Sequence, residues 1–331
     1  MSTTIAPDKI LKELAELWVD SGKHEQAEGG AGVLRACSMT LLVLTEAQED
    51  TQDLGETIAA LMPEHPARAI LVRLSGAGDR SLTERVYSQC WMPFGQRRQI
   101  CCEQVEITVS DAALADLQSV VLPLMVADLP LIVWCRSARL LAMPQFRAIA
   151  RMADKVIVKS ATAPDPADTL ERAQAMVREG IMLGDLAWTV LTRWREMLAQ
   201  LFENQQNAAL LGRTSAIDVE WGEPHHAAAY YLGAWIRQSV AVLGVRPSLR
   251  ISQAENYHSL RVRLTGEGIA LELVREEDRM IVTLNGSSQC TNLPKPTDYL
   301  LMREELGIVR HDPVFEKSLA SAAQLAHPIQ R

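Results

Sequence analysis

Short apolar runs alternate with helical ones through the first half of this chain, and no other feature restricts its fold as much. Residues 36–44, 67–74, 131–135 and 156–159 read as buried strands, rich in Leu, Val and Ile. Residues 54–61, 112–127 and 144–152 read as helices between them, the second with Asp111 at its N-cap and Pro123 bending it or ending it early. Strands joined through helices run parallel, because the crossover carries the chain back to the same end of the sheet. Residues 81–92 and 100–109 break the pattern. They alternate at period two, imperfectly, around Pro93 and Gly95, as a hairpin does. The expected N-terminal domain is a three-layer α/β structure with a mixed, mostly parallel sheet.

Residues 161–166, rich in Pro, Thr and Asp, mark the domain boundary and give domains of 1–163 and 164–331. Helices follow at 167–179 and 185–203. They belong to the second domain or bridge the two. A strand near 217–221 and a helix at 224–243 come next. Four short alternating runs, 248–253, 259–265, 269–275 and 280–285, are separated by turn residues that include Glu255 and Asn256. They predict an antiparallel meander in a C-terminal α+β domain, closed by helices from Asp298 and Pro313.

A chain of 331 residues can build two cores. A net charge of −8 argues against a nucleic-acid partner, which needs a basic surface to displace counterions from phosphates. No apolar run reaches the length of a membrane span, and the first residues lack the basic-then-apolar order of a secretory signal. The expected location is cytoplasmic, with no membrane partner. Cysteines at 37, 90, 101, 102, 135 and 290 form no C-x-x-C pair, and several sit in apolar strands. They are expected to be reduced, structural thiols.

The motifs of common chemistry are incomplete. Gly29-Gly30-Ala31-Gly32 precedes a strand rather than a helix, so its amides are not aimed as a phosphate cradle requires. Gly76-Ala77-Gly78-Asp79 lacks a third glycine, and Gly286-Ser287 lacks the closing glycine of a nucleophile elbow. His225-His226 opens a helix, where neighbours point about 100° apart and chelate poorly; an exposed or capping role is expected. Glu103 and Glu106 fall on opposite faces of a strand, so they do not form an acid–base pair. No NAD, ATP, metal or other cofactor is expected, and no catalytic residue is assigned.

Two groups of residues stand out. Within 185–203, Ala187, Val190, Leu191, Trp194, Met197, Leu198 and Leu201 share one broad helical face, the pattern of a core-facing helix. Asp185, Trp188, Thr192 and Arg195 follow a strip along its edge. Indole, guanidinium, hydroxyl and carboxylate in a row suit recognition of a partner; the plainer reading is an amphipathic Trp beside a surface Arg. The second group is His65 and Arg68, just before a strand. They suit an anion or a protein partner, or Arg68 simply pairs with a carboxylate.

The stretch Asp185-Leu186-Ala187-Trp188-Thr189-Val190-Leu191-Thr192-Arg193-Trp194-Arg195-Glu196 resembles the signature of the OpcA family, the glucose-6-phosphate dehydrogenase assembly proteins. The resemblance extends to Arg35-Ala36-Cys37-Ser38-Met39-Thr40-Leu41-Leu42-Val43 with His65-Pro66-Ala67-Arg68-Ala69-Ile70, and to Ile100-Cys101-Cys102-Glu103-Gln104-Val105-Glu106-Ile107. It also takes in Leu122-Pro123-Leu124 and Asp128-Leu129-Pro130-Leu131-Ile132-Val133-Trp134. Family members commonly carry Ser at the position of Ala67, and Arg and Pro at those of Val190 and Arg193. The resemblance implies a non-enzymatic assembly factor or allosteric activator of glucose-6-phosphate dehydrogenase in the oxidative pentose phosphate pathway. That dehydrogenase would be its partner. The alternative is an enzyme or sensor binding a sugar phosphate near His65 and Arg68.

Overall fold

The computed structural model describes residues 7–27, 33–49, 51–91, 99–254 and 259–327. Contacts divide the chain into two compact units, Met1–Val158 and Lys159–Arg331. The glycine run at 29–32, the hairpin tip with Pro93 and Gly95, and Glu255 and Asn256 lie outside the described residues.

The first unit runs α1 (Pro7–Ala27), β1 (Val33–Arg35), β2 (Met39–Glu46), α2 (Thr51–Leu61), β3 (Ala67–Leu74), β4 (Leu82–Trp91) and β5 (Gln99–Val109). It continues with α3 (Leu117–Val121), β6 (Leu131–Cys135), α4 (Ala138–Leu141), α5 (Pro144–Ala150) and β7 (Lys155–Val158). The parallel strands lie in the order β5-β3-β2-β6-β7. Counted from β2 this is 3-2-1-4-5, a doubly wound arrangement whose order reverses between β2 and β6. The short β1 runs parallel beside the start of β5, and β4 pairs antiparallel with it. Both the α/β class and the mostly parallel, mixed sheet match the sequence expectation. Strands β2 and β3 are buried almost end to end, which is why they read as continuous apolar runs.

Two local expectations change. Residues 112–127 form no single helix: α3 is short and lies between 3-10 turns at Asp111–Asp116 and Leu122–Leu124. The Asp111 carboxylate accepts two hydrogen bonds from Arg139 Nη1, both 2.8 Å, instead of capping. Pro123 has no N–H with which to prolong a helix. The cysteines also differ from expectation. Cys90 and Cys101 stand opposite one another in the β4–β5 register and are joined as a disulfide. Cys37, Cys102, Cys135 and Cys290 are free thiols, and burial pushes the Cys102 thiol up to about 11.

The second unit runs α6 (Pro166–Arg178), β8 (Leu183–Asp185), α7 (Leu186–Thr189), α8 (Thr192–Leu201), α9 (Gln205–Leu211), β9 (Thr214–Trp221) and α10 (His226–Ala241). Strands β10 (Ser248–Gln253), β11 (Leu260–Gly266), β12 (Ile269–Glu276), β13 (Arg279–Leu284) and β14 (Ser287–Asn292) follow, then α11 (Asp298–Leu306) and α12 (Pro313–Ala326). Its sheet has the order β10-β9-β11-β12-β13-β14. The antiparallel meander exists, but it begins at β11. Strand β10 lies at the far edge, parallel to β9 after the α10 crossover. Alternating residues Ile217, Val219, Val262, Leu264, Leu271, Leu273 and Val282 are buried in the core. Helix α10 packs on β9 and β10, and α12 packs on α10 and α6.

Candidate functional site

The predicted helix at 185–203 is two helices. Asp185 has extended backbone and caps α7, its carboxylate accepting from the Ala187 N–H at 2.9 Å. Thr189 Oγ1 shares its single proton between the Asp185 carbonyl oxygen at 3.1 Å and Glu305 Oε2 at 2.9 Å, and α7 ends at this residue. The chain turns through Val190 and Leu191 before α8 begins.

That break changes what the strip presents. Asp185 is wholly buried and Trp188 is 3% exposed. Neither lies along an open edge, as the single-helix reading placed them. The Trp188 ring packs against Tyr231 edge-on and against a tilted Phe315, each with centroids 5.9 Å away. On its other side the Arg195 guanidinium stacks 3.6 Å from the ring centroid. Arg195 is half-buried and donates from Nη2 to Thr192 Oγ1 at 2.9 Å. Thr192 in turn donates to Glu304 Oε1 at 2.6 Å. Thr192 and Arg195 are therefore the accessible part of the strip. Trp188 forms their floor and Asp185 its anchor.

Tyr231, Phe315, Glu304 and Glu305 complete this cluster, and sequence reasoning missed all of them. The one signal was a Tyr set in the alanine-rich run His226-Ala227-Ala228-Ala229-Tyr230-Tyr231, an apolar setting that obliges a buried hydroxyl to find a partner. The Tyr231 hydroxyl donates to Asp185 Oδ2 at 2.9 Å, and the Ser160 N–H reaches Oδ1 at 3.3 Å. Glu305, also buried, accepts from Thr189 Oγ1 at 2.9 Å. Gly184 permits that approach: a Cβ there would stand 2.0 Å from Glu305 Oε1.

Burial raises the Asp185 carboxyl above the usual carboxylate range, against the opposing pull of its hydrogen bonds to Ser160, Ala187 and Tyr231. A carboxyl raised by folding binds protons more tightly in the native state. Its contribution is complete below the unfolded-state value and is lost as pH rises through the folded value. An amide does not titrate, and its oxygen still accepts from Ser160 and Ala187. Asp185→Asn is therefore expected to gain stability relative to wild type as pH rises from 4 to 8. Calorimetric melting across that range checks this; a difference moving the opposite way would refute it.

Beside Thr192 and Glu304 lies an open groove of about 830 Å³. Val190, Met197, Met280, Leu293, Leu300 and Leu301 give it an apolar floor, and Arg193, Glu196 and Arg303 stand around it. Adaptable Met side chains beside aliphatic ones suit a protein segment.

In the first unit, Arg68 is 7% exposed and donates from Nε to Glu103 Oε2 at 2.5 Å and from Nη1 to the Leu124 carbonyl at 2.7 Å. Glu103, 3% exposed, also receives Trp18 Nε1 at 2.6 Å and Arg35 Nη2 at 2.8 Å. Arg68 thus has its counter-ion within the chain, and a soluble anion at His65 and Arg68 would have to displace Glu103. Glu106, on the other face of β5, pairs with Arg73.

At the opposite end of the parallel strands, where the sheet order reverses, β2 runs into Glu46-Ala47-Gln48-Glu49. Glu46 accepts from Ser137 and Arg139, and Glu49 accepts from Arg136 Nε at 2.7 Å. Doubly wound folds place a pyrophosphate at this point on glycine-flanked amides. Here Glu46 and Glu49, each paired with an arginine, stand at the end of β2, and no glycine falls between Glu46 and Leu54. Among the described residues, no cluster of three or more His, Cys, Asp or Glu is gathered for a metal, and no helix is long and apolar enough to cross a membrane.

His226 is neither exposed nor a cap. It is buried edge-on against Trp221, centroids 5.5 Å apart, with Nδ1 3.7 Å from Glu223. Burial pushes the neighbouring His225 down to about 4.

Two family profiles match this chain. One, described as the glucose-6-phosphate dehydrogenase subunit N-terminal domain, covers residues 58–175. The other, described as the C-terminal domain of that subunit, covers residues 181–319. The chain belongs to the OpcA family. The N-terminal profile takes in Arg68 and Glu103, and the C-terminal one takes in Asp185 through Arg195 with Glu304 and Glu305. A relative from Synechocystis sp., named "Putative OxPP cycle protein OpcA", is 25% identical over 186 residues, 55% of this chain and 38% of that protein. One of the same name from Synechococcus elongatus is 27% identical over 238 residues, 70% of this chain and 50% of that protein. The chain spans half or less of the length of these curated OpcA relatives. Among solved structures, a dehydrogenase from Chromobacterium violaceum aligns with a TM-score of 0.47 at 10% identity, covering 87% of this chain and 94% of that one. A super-repressor mutant of Gal80p from Saccharomyces cerevisiae aligns with a TM-score of 0.45 at 9% identity, covering 87% of this chain and 94% of that one. At such scores the likeness carries no statement about function.

Proposed function

We propose that this protein is a non-enzymatic partner of glucose-6-phosphate dehydrogenase that shifts the dehydrogenase toward its active oligomer. The observation that carries this reading is the paired family match, N-terminal and C-terminal, to domains described as belonging to that dehydrogenase's subunit. Two features of the chain support it. The sheet end where a doubly wound fold would take a dinucleotide carries Glu46 and Glu49 with their arginine partners. The second unit instead presents Thr192, to which Arg195 donates, at an apolar groove. An activator must bind one assembly state of its target better than another, since only differential affinity moves an equilibrium.

The test is to mix the pure chain with the dehydrogenase of the same organism and measure mass and NADP reduction together. A stable complex with raised activity is the expected result, with no NADP reduction from glucose 6-phosphate by the chain alone. Turnover by the isolated chain, or a dehydrogenase unchanged in both mass and rate, would refute the reading.

A further inference from the structure

Among the described residues Arg195 has no carboxylate in direct contact, although four stand near enough for their fields to reach it. Its one side-chain hydrogen bond among those residues goes to Thr192 Oγ1 at 2.9 Å. Each of these carboxylates directs its hydrogen bonds to another group. Glu196 pairs with Arg193 at 2.8 Å, and Glu304 accepts from Thr192. Glu305 accepts from Thr189, and Asp312 caps α12 through the N–H groups of Val314 and Phe315. Burial lowers the Arg195 pKa, as it does for a charge that gives up water, and the surrounding carboxylates oppose that shift only in part.

The geometry also fixes how that charge is displayed. Trp188 lies under the guanidinium plane at 3.6 Å and is itself held by Tyr231 and Phe315. The ring supports the guanidinium from one side, and among the described residues only Nη2 has a side-chain hydrogen bond, to Thr192. A planar fork of parallel donors matches a carboxylate, which accepts two such bonds side by side. The acidic residues around the site count against a doubly charged group such as phosphate more heavily than against a singly charged one.

We propose that Arg195, stacked on Trp188 and steadied by Thr192, is a receptor for a side-chain carboxylate of the protein partner. This rests on the partner reading above and adds the chemistry of the contact. The floor is preformed, so the contact needs little reorganisation when the partner arrives.

Two measurements separate the site from the partner. In the first, the free chain is titrated with acetate and, in parallel, with inorganic phosphate, following the Arg195 Nε–H signal by nuclear magnetic resonance. The signal is assigned by its loss in Arg195→Lys. Acetate is expected to move it with saturation, and to move it more than phosphate does. No response to acetate, or a stronger response to phosphate, overturns the proposal whether or not any complex forms. In the second, affinity for the dehydrogenase is measured for wild type, Arg195→Gln and Arg195→Lys, each first shown to melt cooperatively. Arg195→Gln is expected to weaken the complex about tenfold or more, and Arg195→Lys, which keeps charge but loses the fork, by less. A complex that forms equally well with Arg195→Gln overturns the proposal and leaves the partner reading standing. If wild type forms no complex, the partner reading fails, and the acetate titration alone decides whether the carboxylate site exists.

Discussion

Replacing Trp188 with alanine is expected to cost about 3–5 kcal/mol of stability, as much as the same change at Trp194. Both indoles are 3% exposed. Removing Trp188 opens a hole bounded by Tyr231, Phe315 and the Arg195 guanidinium, and takes two aromatic contacts and one cation–π contact with it. The surrounding elements cannot close on that space easily, because α7 is pinned at one end by the Asp185 cap and at the other by Thr189 on Glu305. Trp188→Phe keeps most of the apolar volume and should recover more than half of the loss. Urea unfolding with a common m-value measures all three variants. A loss below about 1 kcal/mol for Trp188→Ala would mean the indole is not packed as described. Arg195→Gln removes the cation–π contact but keeps the aromatic packing, so it is expected to lower stability less than Trp188→Ala does. Weakened binding in Arg195→Gln while it still melts cooperatively would separate the recognition role of the guanidinium from the structural role of its floor.

The sequence periodicity assigned Trp188 to the wrong environment for an identifiable reason. A single helical period across 185–203 puts Trp188 at an edge, whereas the helix stops at Thr189 and α7 turns its own face inward. What covers that face comes from α10 and α12, whose residues Tyr231 and Phe315 stand far along the chain. No local pattern announces such neighbours. Trp194, on the continuous part in α8, was legible as core because its own neighbours at helical spacing are apolar too. The same contrast holds among strands. Strands β2 and β3 were legible because burial on both faces demands an apolar residue at nearly every position. Strand β14, Ser-Ser-Gln-Cys-Thr-Asn, is exposed throughout and carries no hydrophobic alternation. Its signal lay in the turn before it. Asn285 and Gly286 both take positive φ, 49° and 86°, as a two-residue hairpin requires, and Asn-Gly is the dipeptide that does so most readily.

The buried charge in the first unit carries the second large effect. Glu103 is held by Arg68, Arg35 and the Trp18 indole in the interior of the first unit. Glu103→Ala leaves the Arg68 guanidinium buried with only the Leu124 carbonyl among its stated partners, and is expected to cost about 3–5 kcal/mol. Arg68→Ala should cost less, because Glu103 keeps Arg35, which is half-exposed, and the Trp18 N–H. The informative variant is the pair replaced together, Glu103→Leu with Arg68→Met. Apolar side chains of similar volume remove both desolvation costs at once, so the double variant is expected to lose clearly less than the sum of Glu103→Leu and Arg68→Met measured singly. Strict additivity in that cycle would show that the two groups do not depend on each other. A double variant that is stable and still activates the dehydrogenase would also assign Arg68 to the fold. Loss of activation in that folded variant would instead return His65 and Arg68 to the functional surface, and with them the end of the sheet from which β3 begins.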